Sequence, residues 1–170
     1  MTSQQPPPVA LRPWAPDDED LLQRLLGDPA MTAYLGGPES PEQIAARHVR
    51  YLELGDGEML VVEVGGHATG SIGYWTHEVD GERAWETGWS VLPAFQGRGI
   101  ATAAIHACLD RIRDGGDVRP VHAFPRIDNV ASNRICEKAG FRNLGEFGFE
   151  YPKGNPIRCN DWVIDPSEAA

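Results

Sequence analysis

The sequence predicts one α/β domain. Three observations carry that expectation. Strand-like and helix-like segments follow one another in the order β-α-α-β-β-β-α-β-α-β-β, no repeat or linker divides them, and 170 residues suit a single hydrophobic core. Hydrophobic residues make up 41% of the chain and charged residues 24%, as in an ordinary globular protein.

Each element has its own signal. Residues 1–8, polar and rich in proline, read as a disordered leader with neither the basic segment nor the apolar run of a signal peptide. Val9 to Trp14 reads as the first strand. From Asp17 to Leu26, acids in the first turn and Leu21, Leu22, Leu25 and Leu26 on one face predict a helix that Gly27-Asp28-Pro29 ends. Ser40-Pro41-Glu42-Gln43 opens the second helix with a capping box, and Gly55 stops it. Met59–Val64, Ala68–Thr76 and Arg83–Val91 follow as strands, with turns at Gly65-Gly66 and Asp80-Gly81. On the third of these, Trp85, Thr87, Trp89 and Val91 share one face, and Glu86, Gly88 and Ser90 the other. Ala101, Ala104, Ile105, Cys108, Leu109 and Ile112 then form the best apolar stripe in the chain, closed by Gly115-Gly116. Val118–Phe124 reads as a strand, Asn129–Ala139 as a helix stopped by Gly140, and Arg142–Tyr151 and Ile157–Ile164 as two final strands.

Composition narrows the function. A formal net charge of −10 with no basic run argues against a nucleic-acid partner. No apolar stretch is long enough for a membrane helix. Cys108, Cys136 and Cys159 are widely spaced and make neither a disulfide framework nor a zinc motif, and the five histidines show no metal spacing, so no metal is expected. The cytoplasm is the expected compartment.

One segment looks built to hold a ligand. Gln96-Gly97-Arg98-Gly99-Ile100-Ala101 lies between a strand and a helix. Its glycines let peptide N–H groups approach a ligand closely, and the helix start adds unpaired donors and a positive dipole end. Those features favour a pyrophosphate, with Arg98 adding charge. A plain glycine turn capping a helix is the alternative, and a dinucleotide site is a weaker one, since no acidic residue is well placed after the turn.

Residues Gly88 to Ala101, G-W-S-V-L-P-A-F-Q-G-R-G-I-A, resemble motif A of the GNAT superfamily, and Asn129 to Phe141, N-V-A-S-N-R-I-C-E-K-A-G-F, resemble its motif B in the RimJ/RimL-like variety. The resemblance runs over nearly the whole chain after Pro8 and implies a domain at residues 9–166. It implies a mixed, mostly antiparallel sheet of about six to seven strands flanked by about four helices. In it, a parallel pair, Arg83–Val91 and Val118–Phe124, would splay to hold acetyl-CoA. By similarity the backbone of Trp89, Ser90 and Val91 would meet the pantetheine arm, with the Val91 N–H on the thioester carbonyl. Gln96, Gly97, Arg98, Gly99, Ile100 and Ala101 would form the pyrophosphate turn, and Asn129 and Ser132 would face the pantetheine and sulfur. Helical spacing puts Asn129, Ser132, Asn133 and Cys136 on one polar stripe and Ala131, Ile135 and Ala139 on a buried one. Asn129 also reads as a plain N-cap.

The implied reaction is direct attack of a primary amine on the thioester in a ternary complex, through a tetrahedral intermediate. Deprotonating a lysine-like amine at pH 7 costs about 4–5 kcal/mol, against about 1–1.5 kcal/mol for an α-amino group. Glu86 is the candidate base, with a half-exposed surface carboxylate as the plainer reading and His77 as the alternative base. Cys136 stands where many relatives carry a tyrosine that protonates the leaving thiolate, so Ser132 is the candidate hydrogen-bond donor to the sulfur. Cys136 itself reads as a buried, inert cysteine rather than a nucleophile. Met31–Glu39 and Tyr151–Arg158 are the segments expected to frame the acceptor, with Tyr34, Trp75, Glu150 and Tyr151 lining it. The acceptor is expected to be a small amine, an aminoglycoside-like antibiotic or a protein N-terminus, and the chain a monomer or homodimer. A GNAT-fold module that binds acyl-CoA without turnover is the rival reading.

Overall fold

A computed structural model describes residues 5–168. Of the expected leader, residues 1–4 lie outside the described residues, and residues 5–8 form no helix or strand. The elements are β1 (Val9–Pro13), α1 (Glu19–Leu26), α2 (Pro41–Leu52), β2 (Gly57–Val64), β3 (His67–Val79), β4 (Glu82–Val91), α3 (Ile100–Gly115), β5 (Val121–Ala123), α4 (Val130–Ala139), β6 (Arg142–Glu150) and β7 (Pro156–Ile164). Short 3₁₀ turns at Pro16–Asp18 and Pro93–Phe95 precede α1 and the glycine turn. The strands form one seven-stranded sheet in the order β1-β2-β3-β4-β5-β7-β6, antiparallel throughout except for the β4–β5 pair.

Local chemistry sets these elements as the sequence anticipates. At the start of α2, Ser40 Oγ accepts from the Gln43 N–H at 3.2 Å and Gln43 Oε1 accepts from the Ser40 N–H at 2.8 Å. Asp80 and Gly81 both take positive φ, 51° and 81°, and join β3 to β4 as a two-residue hairpin. The buried stripe of α3 is the predicted one.

Two cores lie on opposite faces of the sheet. Tyr74, Trp85, Val91, Val121 and Ala123 meet α3 and α4 on one face. Trp14, Met59, Val61 and Leu92 meet α1 and α2 on the other. α1 and α2 pack over β3 and β2, leaving the same face of β5, β7 and β6 to loops and aromatic rings.

The greatest departure from the sequence reading is β5, three residues long instead of the expected Val118–Phe124. The cause lies in the residues before it. The Arg119 guanidinium sits 3.8 Å over the Trp85 ring and binds Asp117 (Nε to Oδ1, 2.9 Å), while Trp85 Nε1 donates to the Asp117 carbonyl at 3.0 Å. Pro120 has no N–H to give a ladder, though its carbonyl accepts from the Trp85 N–H at 2.8 Å. Pro125 then ends β5, because it too lacks an N–H and restricts Phe124 before it. The parallel pair is therefore registered at only two positions, Trp85 with Val121 and Glu86 with His122.

Trp85 is buried in the main core and is also the ring on which Arg119 rests. Trp85→Ala is expected to lower unfolding stability by about 3–5 kcal/mol, read as a shift in the urea midpoint at unchanged slope.

Candidate active site

Beyond Glu86, β4 runs on for five residues, Thr87–Val91, with no registered partner in β5. A residue's N–H and C=O point to the same side of its strand, and the side alternates along the chain. The Trp85 N–H donates toward β5, to Pro120, and the Leu92 N–H donates to Thr69 on the β3 side. By that alternation the backbone groups of Trp89 and Val91 point into the opening. The Val91 carbonyl is taken there by Gln96 Nε2 at 2.9 Å, which leaves its N–H facing the gap. Gln96 thus braces the turn against the strand end instead of turning its side chain outward.

The turn beyond is held in the conformation its glycines permit. Gly97 and Gly99 have φ of 74° and 77°, values that side-chain-bearing residues rarely adopt. Among the described residues, no hydrogen bond occupies the N–H groups of Gly97, Arg98, Gly99 and Ile100. A Cβ added at Gly97 would meet nothing within 4 Å, whereas at Gly99 it would lie 3.1 Å from Pro6 Cβ, so the leader passes beside the helix start. The Ile100 and Ala101 side chains are in the core, so only their peptide groups are available to a ligand. The Arg98 guanidinium lies 5.9 Å from the Phe95 ring centre. An open strand edge leading to free peptide N–H groups suits an extended ligand that ends in a diphosphate.

On α4 the structure redraws the predicted stripes. Cys136 and Ala139 are buried, Ser132, Asn133 and Ile135 are half-buried, and Ala131 is exposed. Cys136 thus belongs to the buried side, because α4 is rolled toward α3 and the main core. Asn129 caps the helix through Oδ1, which accepts from the Ser132 N–H at 3.2 Å. Asn133 proves structural. Its Nδ2 donates to the Arg126 and Asn129 carbonyls, each at 2.8 Å, and its Oδ1 accepts from Asn160 Nδ2 at 2.7 Å and Trp162 Nε1 at 2.9 Å.

Glu86 lies on the face opposite the tryptophans of β4, as its place in the strand requires. It is half-buried, with Oε2 3.4 Å from His77 Nδ1. Burial raises its carboxyl above the ordinary range, more than the charges of His77 and His122 and a hydrogen bond from Trp75 lower it. Next to it, His122 on β5 is buried and bonded to Asp161 on β7, Nδ1 to Oδ1 at 2.6 Å. Phe124 packs on both histidines, 5.1 Å from His77 and 5.7 Å from His122 between ring centres. Nothing in the sequence near His122 reveals this bond, because its partner is 39 positions away across the β5–β7 pairing. The alternation of His122 and Phe124 on one face was the available signal.

The two segments expected to frame the acceptor also come together. A Cβ at Gly36 would approach Pro152 Cδ to 2.8 Å, so the α1–α2 loop touches the β6–β7 loop. Tyr34 is exposed beneath the Arg126 guanidinium, 5.7 Å from its ring centre, and Tyr151 is exposed 6.4 Å from Phe149. Trp75 lies in register with Glu86 and over Gly88. Glu150 does not join them: it alternates to the other face of β6, and its carboxylate accepts from the Gly154 N–H.

The family model for the acetyltransferase (GNAT) domain matches residues 9–142. The chain belongs to the GNAT acetyltransferase family. A curated relative, the uncharacterised N-acetyltransferase YnaD of Bacillus subtilis strain 168, is 33% identical over 75 residues, a match spanning 44% of each chain. Among solved structures, the Salmonella typhimurium acetyltransferase that modifies the N-terminal serine of ribosomal protein L7/L12 superposes with a TM-score of 0.80 at 23% identity, covering 92% of this chain and 94% of that one. The spermidine N-acetyltransferase of Vibrio cholerae, in complex with CoA and spermine, gives 0.80 at 19% identity over 95% and 97%. The expected GNAT fold, with its mostly antiparallel sheet, single parallel pair and four helices, is thereby the observed one. No helix among the described residues is long and apolar enough to cross a membrane.

All three cysteines are buried, and burial pushes the Cys136 and Cys108 thiols up to about 12. A thiol-labelling disulfide reagent at pH 8 is expected to leave all three unlabelled in the native protein and to label all three in guanidinium. Rapid labelling of native Cys136 would restore the nucleophile reading.

Proposed function

We propose that this chain is an acetyl-CoA-dependent N-acetyltransferase that moves an acetyl group to a primary amine within a ternary complex. The observation that carries the reading is the unpaired run of β4 leading into a turn whose peptide N–H groups are free. In this reading Trp89 and Val91 hold the pantetheine arm through the backbone, whereas Ser90, expected to join them, is excluded because the alternation turns its backbone groups toward β3. Gly97 to Ala101 hold the diphosphate, and Asn129 and Ser132 border the thioester end. When bound, acetyl-CoA supplies an activated acetyl thioester.

Glu86 is the base in this scheme. It takes a proton from the attacking amine, directly or through one water, as the N–C bond forms and the C–S bond breaks. The Val91 N–H faces the carbonyl oxygen and stabilises the charge that gathers there. The departing sulfur needs only a hydrogen bond, which the Ser132 hydroxyl supplies in this scheme, since a thiol of pKa ~8.5 is a fair leaving group. The acceptor enters between the α1–α2 loop and the β6–β7 loop, past Tyr34, Trp75 and Tyr151.

CoA is expected to raise the melting temperature of the wild-type protein. Gly97→Glu should abolish that shift, because its side chain would enter the open space proposed for the diphosphate. The same change strains a left-handed backbone by only about 1–3 kcal/mol, which melting of the free variant would register. An unchanged CoA shift in that variant sinks the phosphate assignment.

Burial favours the neutral form of Glu86, so the folded chain holds that proton more tightly than the unfolded one. Its contribution to stability is then greatest at low pH and is lost as pH rises through its folded value. Its capacity as a base runs the other way, since only the carboxylate accepts a proton. The rate is expected to rise with pH through that raised value, and Glu86→Gln should remove this acid limb and lower kcat by about 10²–10⁴-fold. A full acid limb in Glu86→Gln would move the role to His77.

A further inference from the structure

The sheet face that carries Glu86 continues sideways as a row of aromatic rings. From Phe124, beside the two histidines, ring centres step to Phe147 at 5.4 Å, Phe149 at 5.7 Å and Tyr151 at 6.4 Å. Phe147 and Phe149 pair with Cys159 and Ile157 of β7, two and four positions from Asp161 and on its face. At the outer end Phe149, on the edge strand, and Tyr151, just past its end, are each 40% exposed. Aromatic side chains left open to water at the mouth of a cleft mark a binding surface. The Gly36–Pro152 contact brings the α1–α2 loop to the hairpin that bears them.

Charge decides what this surface takes. At its floor, the charged partners of Glu86 and Asp161 among the described residues are histidines, His77 and His122. Toward the rim two carboxylates are already neutralised by permanent cations. Glu39 is bound by Arg47, with Nε 3.0 Å from both oxygens, and Asp128 is bound by Arg126 at 3.0 and 2.8 Å. A polyamine or aminoglycoside, with positive charges spread along its length, would meet those two arginines where it needs free carboxylates. A single ammonium beside Glu86 would not.

The geometry points to an acceptor with one amine on an aromatic or apolar body, its nitrogen beside Glu86 and its body along Phe124, Phe147 and Phe149. This rests on the acetyltransferase reading above and adds to it the class of acceptor. The arylalkylamine nitrogen bonds to the acetyl carbon as the C–S bond breaks; the two protons the ammonium loses pass through Glu86 to water, and the released thiolate takes one back from solvent.

The test is steady-state thiol release from acetyl-CoA with phenethylamine and tryptamine, set against spermidine and kanamycin at matched ionic strength. The aryl monoamines are expected to exceed both polycations in kcat/KM by about tenfold or more, the scale on which an apolar pocket discriminates. Phe149→Ser should raise KM for phenethylamine by a similar factor. It should leave both kcat and the CoA-induced melting shift unchanged, while Val49→Ser, an exposed apolar site on α2, should change none of them. Turnover that favours spermidine or kanamycin would overturn the acceptor class and leave the enzyme standing. CoA binding without turnover of any amine would overturn the enzyme reading itself. Light scattering is run alongside: a dimer that Phe149→Ser dissolves without altering KM would assign the aromatic row to a second copy of this chain and refute the proposal.

Discussion

The site depends on a pair of parallel strands that is closed at one end and open at the other. A parallel ladder left to itself would zip along its length, since each free peptide group seeks a partner. Here the closed end is held by Arg119 stacked on Trp85 and bound to Asp117, and the open end is forced by Pro125. Two registered pairs suffice to align the strands, and the remaining edge of β4 is left with unmet donors. The same arrangement explains why β4 is bordered on one side by a long antiparallel neighbour. β3 pairs with it over ten positions, from Gly70–Val91 to Val79–Glu82, and keeps the unpaired edge straight.

From this constraint the placement of the chemistry follows. Alternation along β4 sends Trp85, Trp89 and Val91 into the core beneath α3 and sends Glu86 to the face where an acceptor can reach it. The proposed cofactor edge and the proposed base therefore lie on one strand but on different sides of it, one addressed by backbone and the other by a side chain. Only the backbone address asks for particular residues at the turn, where left-handed glycines are needed. The strand residues themselves remain free to serve the core.

Much of this was legible in the sequence where the signal was local. The capping box at Ser40, the Asp80-Gly81 hairpin, the apolar stripe of α3 and the glycine turn each depend on residues within a few positions of one another, and each appears as read. What escaped was set by distant partners. β5 seemed longer because Val118 to Phe124 has strand-like composition, and nothing local reveals that Arg119 is claimed by Trp85. Cys136 is buried as read, but the roll of α4 that exposes Ala131 follows from packing on α3, to which helical spacing alone is blind. The pairing of His122 with Asp161 and the two bonds that Asn133 accepts from Asn160 and Trp162 arise only when β7 inserts between β5 and β6, a topological fact absent from any window of sequence.

That one amide, Asn133, has a mechanical consequence. By joining the first turn of α4 to the Arg126 carbonyl on one side and to Asn160 and Trp162 of β7 on the other, it welds helix, loop and strand into a single lower jaw. The far end of the helix is tied as well, since His106 Nε2 of α3 lies 3.1 Å from the Ala139 carbonyl, so α4 is anchored to the strand at its start and to its neighbouring helix at its finish.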